Sequence, residues 1–420
     1  MLKYKILDKQ FEDIVSSSFQ AHTDIIVELN NSKLETQDVQ KLCSLLINCK
    51  NLLNLELNLN LNDINDESTQ ELSSALSECI NLQKFVLSLE ENKIGVQGAT
   101  SLANIFKQLS NLKIITLQMM QNIIESQGFS DICFGLANCT QLQTLNLDFR
   151  WNQIKEQGVQ GLAQALTKLT NLSNLSLNLS SNKIKIQGAT DLSIALAECV
   201  NLKSLELNIG YNQIGDIGLQ QLASALSKLI NLQTLSMDLE RNKIGVSGVK
   251  MLSDSLAILQ NLSALTISFH FNSITNEGVT SIISALEKHS NLQSLALNIS
   301  FNKVGEQAAI DLGSSLISIT KLSKLALNLS QNDFSDSSLK AIAAALTKCA
   351  NISNLALNIC QNKFDEQGLI HLGSVLKYFS NLQGLEIIYG YHQFEEKTQQ
   401  RFKSLILKTR KLINLSVKQS

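Results

Sequence analysis

A 30-residue period runs through this chain without an insertion or deletion, and it leaves few folds open. Asn51-Leu52, Asn81-Leu82, Asn111-Leu112, Asn171-Leu172, Asn201-Leu202, Asn231-Leu232, Asn261-Leu262, Asn291-Leu292 and Asn381-Leu382 share one phase. Gln141-Leu142, Lys321-Leu322, Asn351-Ile352 and Lys411-Leu412 keep it with one residue changed. Self-similarity at a fixed period of roughly 20–50 residues marks a solenoid or array. One such unit cannot bury its own apolar face, so stability must come from stacking. Function is then expected on a repeated surface, not in one pocket.

With the Asn as position 1, apolar residues fall at positions 2, 5, 7, 9, 14, 22, 26 and 29. In 171–200 these are Leu172, Leu175, Leu177, Leu179, Ile184, Leu192, Leu196 and Cys199. Positions 5, 7 and 9 alternate, the pattern of a strand with one buried face. Positions 22, 26 and 29 step by three and four, the stripe of a half-buried helix. Each unit therefore reads strand, loop, helix, return loop. Residues 1–20 are expected to form a cap helix around Phe11, Ile14, Val15 and Phe19. Residues 21–410 make thirteen repeats, and 411–420 a terminal strand and tail. A charged helix with Arg401, Lys403, Lys408 and Arg410 is expected to cover the far end.

Glycine recurs at position 18 (Gly98, Gly128, Gly158, Gly188, Gly218, Gly248, Gly278, Gly368), implying close backbone approach or a positive φ. Asparagine recurs at position 12: Asn62, Asn92, Asn122, Asn152, Asn182, Asn212, Asn242, Asn272, Asn302, Asn332 and Asn362. Buried amides must be hydrogen-bonded, so these read as a structural ladder tying each loop to the next repeat.

The string L-x-x-L-x-L, then N-x-I, then a helix with G-x-x-x-L-x-x-A-L resembles the leucine-rich repeats of the ribonuclease-inhibitor class. That class includes ribonuclease inhibitor, the sensor arrays of nucleotide-binding immune receptors and the Ran GTPase-activating protein. The resemblance covers 21–417 and implies an α/β fold, a right-handed horseshoe solenoid with a parallel sheet on the concave side and helices on the convex side. This chain departs from the family pattern by two extra residues before the Asn, as in Leu177-Asn178-Leu179-Ser180-Ser181-Asn182. A two-residue insertion preserves the pleat, so a strand one dipeptide longer is expected.

Hydrophobic residues at 44% and charged residues at 17% describe an ordered chain. A net charge of -2 supplies no basic stripe, so nucleic acid is not an expected partner. No apolar run approaches the ~18 residues of a membrane span, and the start lacks an apolar signal core. A soluble cytoplasmic protein is expected, compatible with association with the cytoskeleton. The eight cysteines agree with this. Cys49, Cys79, Cys139, Cys199 and Cys349 occupy the position that holds Leu109, Leu169, Leu229 and Leu259 elsewhere, so they read as buried reduced thiols. A Cys49–Cys79 bridge is the alternative.

No catalytic constellation, cofactor motif or metal spacing emerges. The five histidines, His22, His270, His289, His371 and His392, fall at five repeat positions. His289 stands where others carry Cys or Leu and reads as a satisfied near-core histidine. The sharper candidate is the edge where strands end, Arg150, Trp151, Tyr211, Arg241, Phe271, Phe301 and Tyr391, since interface hot spots are rich in Trp, Tyr and Arg. In the family the residue before the Asn is often exposed and contacts partners. Here the extra dipeptide leaves a second reading open, in which position 11 points inward and the rings close the core edge.

The expected function is a non-enzymatic protein-interaction scaffold with a protein partner and without membrane insertion. Resemblance offers one alternative, a GTPase activator of the Ran-regulator type, which needs an N-terminal loop Arg and an acidic tail. The four arginines, Arg150, Arg241, Arg401 and Arg410, do not supply that pattern. Ribonuclease inhibition would favour an acidic strand face, where this chain carries mainly Asn and Ala. An architectural subunit of a cytoskeletal or ciliary assembly is the remaining alternative.

Overall fold

Between residues 24 and 388 alternating apolar residues settle into five-residue strands whose positions 5 and 7 are buried, and the stripe at 22, 25, 26 and 29 turns the helices onto them. The computed structural model describes residues 3–7, 22–349, 351–376, 378–379, 381–390, 394–409 and 412–418. The chain divides into two compact units, Met1–Asn212 and Gln213–Ser420.

The first unit contains β1 (Lys3–Leu7), β2 (Asp24–Glu28), α1 (Thr36–Ile47), β3 (Asn54–Asn58), α2 (Asp66–Leu76), β4 (Lys84–Ser88), α3 (Val96–Gln108), β5 (Ile114–Gln118) and α4 (Glu125–Leu136). It continues with β6 (Thr144–Asp148), α5 (Lys155–Leu166), β7 (Asn174–Asn178), α6 (Lys185–Leu196) and β8 (Ser204–Asn208). Neighbouring strands from β1 to β8 pair in parallel. From β2 onward the register equals the sequence period, as in Leu145 opposite Leu175 and Leu147 opposite Leu177. The core lies between sheet and helices, where Phe129 of α4 meets Phe149 edge-on at 4.8 Å.

The second unit contains α7 (Gly215–Leu226), β9 (Thr234–Asp238), α8 (Val246–Leu256), β10 (Ala264–Ser268), α9 (Thr275–Leu286), β11 (Ser294–Asn298), α10 (Glu306–Leu316) and β12 (Lys324–Asn328). It ends with α11 (Asp336–Leu346), β13 (Asn354–Asn358), α12 (Glu366–Leu376), β14 (Gly384–Ile388), α13 (Glu396–Ile406) and β15 (Asn414–Lys418). Its strands also pair in parallel at the sequence period. In the last helix, Phe402 and Ile406 are buried while Arg401 and Lys403 face solvent.

The start of the chain departs from expectation. Lys3–Leu7 is a strand, not the beginning of a cap helix, and it sets Tyr4 opposite Ile25 and Ile6 opposite Val27. Tyr4 and Ile6 alternate with Lys3 and Lys5, so period two won over the helical reading. Phe11, Ile14, Val15 and Phe19 lie outside the described residues, as do Tyr391, His392 and Arg410.

The extra dipeptide does not lengthen the regular strand, which ends at position 8. It extends the backbone pairing instead. Phe149 N–H donates to the Asn178 carbonyl (2.9 Å) and Trp151 N–H to that of Ser180 (3.3 Å). Between those rungs the chain turns, because position 11 takes a positive φ from Asn31 through Gln361, with Trp151 at 59° and Tyr211 at 57°. A side chain in that region crowds the backbone by about 1–2 kcal/mol. No described position-11 residue is β-branched.

The position-18 glycines serve close approach. A Cβ on Gly128 would lie 2.8 Å from that of Ala99 in the preceding repeat. Positive φ belongs to Gly215, whose absent Cβ would meet nothing within 4 Å. Thr275 occupies the equivalent position one pair of repeats later at φ 54°, although it is β-branched and exposed. Thr275→Gly is therefore expected to stabilise the chain by ~1 kcal/mol. Equilibrium urea unfolding checks this, and a loss of stability would contradict the strain argument.

Candidate functional site

Each loop is built around its asparagine. Asn182 is fully buried. Its Oδ1 accepts the N–H groups of Asn152 (3.0 Å) and Ile154 (3.2 Å) in the preceding repeat. Its Nδ2 donates to the carbonyls of Phe149 (2.9 Å), Leu179 (3.1 Å) and Ser180 (3.1 Å). The same reach to the preceding repeat recurs in the first unit at Asn62, Asn92, Asn122, Asn152 and Asn212. In the second unit the Asn242, Asn272, Asn302, Asn332 and Asn362 side chains accept from the preceding repeat in the same way. The bonded amide at position 12 holds the backbone, and the left-handed residue before it turns its own side chain outward.

The rings at position 11 are accordingly exposed and do not close the core edge. Trp151 is 62% exposed, Tyr211 45%, Phe271 43% and Phe301 37%. Of the seven candidates, six lie within the described residues, three in each unit. In the first unit Trp151 and Tyr211 are two repeats apart, with Ser181 at the position between them. Beside Trp151, the Arg150 guanidinium donates from Nε to Asp148 Oδ1 and reaches Asp148 Oδ2 with Nη2, each at 2.9 Å. Burial, reinforced by the Asp148 carboxylate, raises the Glu90 carboxyl above its usual range.

In the second unit the candidates come together. Phe271 and Phe301 sit at 5.3 Å between ring centroids, and the Arg241 guanidinium lies 3.8 Å over the Phe271 ring. Sequence reasoning missed two members of this group. The His270 ring stands edge-on to Phe301 at 5.1 Å, with Nδ1 2.6 Å from Ser300 Oγ and Nε2 3.6 Å from Glu240. Glu240 also approaches Arg241 at 3.8 Å. Both missed residues occupy position 10, immediately before an already chosen residue, which is the signal that could have found them. Burial raises the nearby Asp238 carboxyl.

The strand face of the second unit is shallow. Ala296, Ala326 and Ala356 floor a groove of about 650 Å³ that passes Glu386 and reaches Ser416 of β15. Among the described residues no His, Cys, Asp and Glu cluster is arranged to hold a metal ion. The eight cysteines carry free thiols, mostly buried. Burial raises the Cys79 and Cys139 thiols to about 12, which makes them poor nucleophiles. His289 is 1% exposed, and neither ring nitrogen has a hydrogen-bond partner among the described residues. The expectation of a satisfied histidine is corrected here: cysteines at this position reach backbone carbonyls with their thiols, as Cys49 does to Leu45 at 3.2 Å, whereas the larger, differently shaped imidazole brings neither nitrogen to a partner. Among the described residues no helix is long and apolar enough to cross a membrane.

A family model described as Leucine Rich repeat matches residues 201–223 and 325–343. No curated protein matches the chain. Among solved structures, a leucine-rich repeat protein of Leptospira interrogans is 18% identical at a TM-score of 0.43, covering 98% of this chain and 99% of its own. Internalin C2 of Listeria monocytogenes is 20% identical at 0.34, covering 61% of this chain and 83% of its own. The structure titled Leiomodin-1 Actin-Binding Site 2 is 14% identical at 0.31, covering 39% of this chain and 88% of its own. These likenesses are distant, and the fold stands on the chain's own strand register. Two stretches match the family model and the other described repeats keep their phase: the chain is built from leucine-rich repeats.

Proposed function

We propose that this chain is a non-enzymatic interaction module that offers its loop edges to a protein partner. One observation carries the reading: large rings stand exposed at a loop position whose backbone is left-handed from Asn31 through Gln361. Ser181, Gln331 and Gln361 hold the same backbone conformation, so the fold does not require a ring there. Exposed Trp, Tyr and Phe beside Arg are the composition of interface hot spots. The buried cysteines fit a reducing intracellular setting.

Affinity capture with the full chain identifies partners. Trp151→Ala combined with Tyr211→Ala, and separately Phe271→Ala combined with Phe301→Ala, then test the edges. At least one pair is expected to weaken binding of the captured partner by more than ~2 kcal/mol with the thermal midpoint little changed. Normal binding by both double variants would move the function to another face.

A further inference from the structure

We propose that the ledge of the second unit receives an acidic peptide segment of a partner protein, one apolar side chain resting on Phe271 and Phe301 and its carboxylates facing Lys243 and Lys303. This rests on the interaction reading above and names the chemistry of the partner.

The argument starts from positions 11 and 13. Both flank the buried Asn, and at Arg241, Lys243, Phe301 and Lys303 both have positive φ, so they present side chains outward from one short loop. Where consecutive loops carry opposite charges at position 13, those charges neutralise each other: Lys93 pairs with Asp63 at 2.9 Å, and Lys363 with Asp333 at 2.6 Å. The ledge differs. Lys243 reaches only the neutral Gln213 amide, at 3.4 Å, and Lys303 makes no ion pair among the described residues. Arg241 lies over Phe271 and pairs with Glu240 at 3.8 Å. Lys243 and Lys303, in the loops of Arg241 and Phe301, therefore keep their charge beside two half-exposed rings, and complementary charge on a partner would both steer and align it.

The rings favour a peptide over single-stranded nucleic acid. Base stacking needs open ring faces, whereas Arg241 covers one face of Phe271 and the two phenylalanines lie against each other at an interplanar angle of 40°. What remains is a contiguous apolar step suited to an aliphatic or aromatic side chain.

A phage-displayed random peptide library selected on the full chain tests the assignment, with synthetic copies of the enriched peptides measured by fluorescence anisotropy. The expected peptides carry Asp or Glu around a Phe, Trp or Leu. Phe271→Ala with Phe301→Ala, and Lys243→Gln with Lys303→Gln, should each weaken them at least tenfold, and Trp151→Ala should leave them unchanged. Circular dichroism melts establish that the variants fold. Enriched peptides without acidic residues, or indifferent to the lysine variant, would overturn the proposal. Peptides lost only in the Trp151 and Tyr211 variants would overturn it while leaving the interaction reading intact. Tighter binding of an oligothymidylate than of any selected peptide would replace it with nucleic-acid recognition. No enrichment over a folded control protein would also count against it.

Discussion

Asn182→Ala is expected to lower the stability of the chain by ~2–4 kcal/mol, since each buried group left unsatisfied costs ~1–3 kcal/mol. The alanine would strand the N–H groups of Asn152 and Ile154, which the Asn182 amide oxygen accepts at 3.0 and 3.2 Å. It would also free three carbonyls that share the amide nitrogen. No water can readily substitute, because the site is fully buried. Asn182→Asp should be worse at neutral pH, because it keeps an acceptor but loses the donor and buries a charge. Urea unfolding of both variants decides the matter. An alanine variant as stable as wild type would show that the ladder is incidental to folding.

His289→Leu is expected to do the reverse and stabilise the chain by ~1–3 kcal/mol at pH 7.5, by removing buried polar atoms that have no partner. Leu109, Leu169, Leu229 and Leu259 fill the same position in other repeats and are buried there. The effect should depend on pH. Burial lowers the imidazole's folded-state pKa below its ordinary value, so the folded chain prefers the neutral ring. Stability is then complete above the unfolded pKa near ~6.5 and falls as pH drops through the window toward the folded value, by at most ~1.4 kcal/mol per pH unit. The leucine variant lacks this term, so its advantage should widen between pH 7.5 and pH 5.5. An advantage equal at both values would mean that His289 does not titrate with unfolding.

Some of this was legible in the residues and some was not. Leu175 and Leu177 reveal a strand, and Leu192 and Leu196 a helix, because burial on one face writes a period into the sequence. The amide ladder was readable for a related reason: an Asn between buried residues in repeat after repeat needs partners. The turn at position 11 was hidden. Positive φ is normally sought at Gly or Asn, and here Trp151 and Arg241 adopt it, each held by its N–H bond to the next repeat and by the anchored amide that follows. Lys3–Leu7 was too short a segment for its alternation to outweigh a helical pattern in the residues after it. The sequence neighbourhood of His270 and Glu240 hints at them one by one, but their meeting with Arg241 and Phe271 depends on side chains from adjacent repeats. No spacing within one repeat records it.

The left-handed residue before each ladder asparagine also sets a ruler. Adjacent parallel strands lie about 4.8 Å apart, and an extended peptide advances about 3.3 Å per residue. Two repeats therefore span roughly the length of three extended residues. Trp151 and Tyr211 stand two repeats apart, so a segment lying along that edge would meet a ring at one residue and again three residues later. Neighbouring rings such as Phe271 and Phe301, 5.3 Å apart, fall out of step with any residue spacing and act as one broad contact. If the edge binds a partner as proposed, one repeated loop geometry would offer two kinds of contact: a spaced pair that measures a partner's sequence and a fused pair that accepts a single bulky anchor.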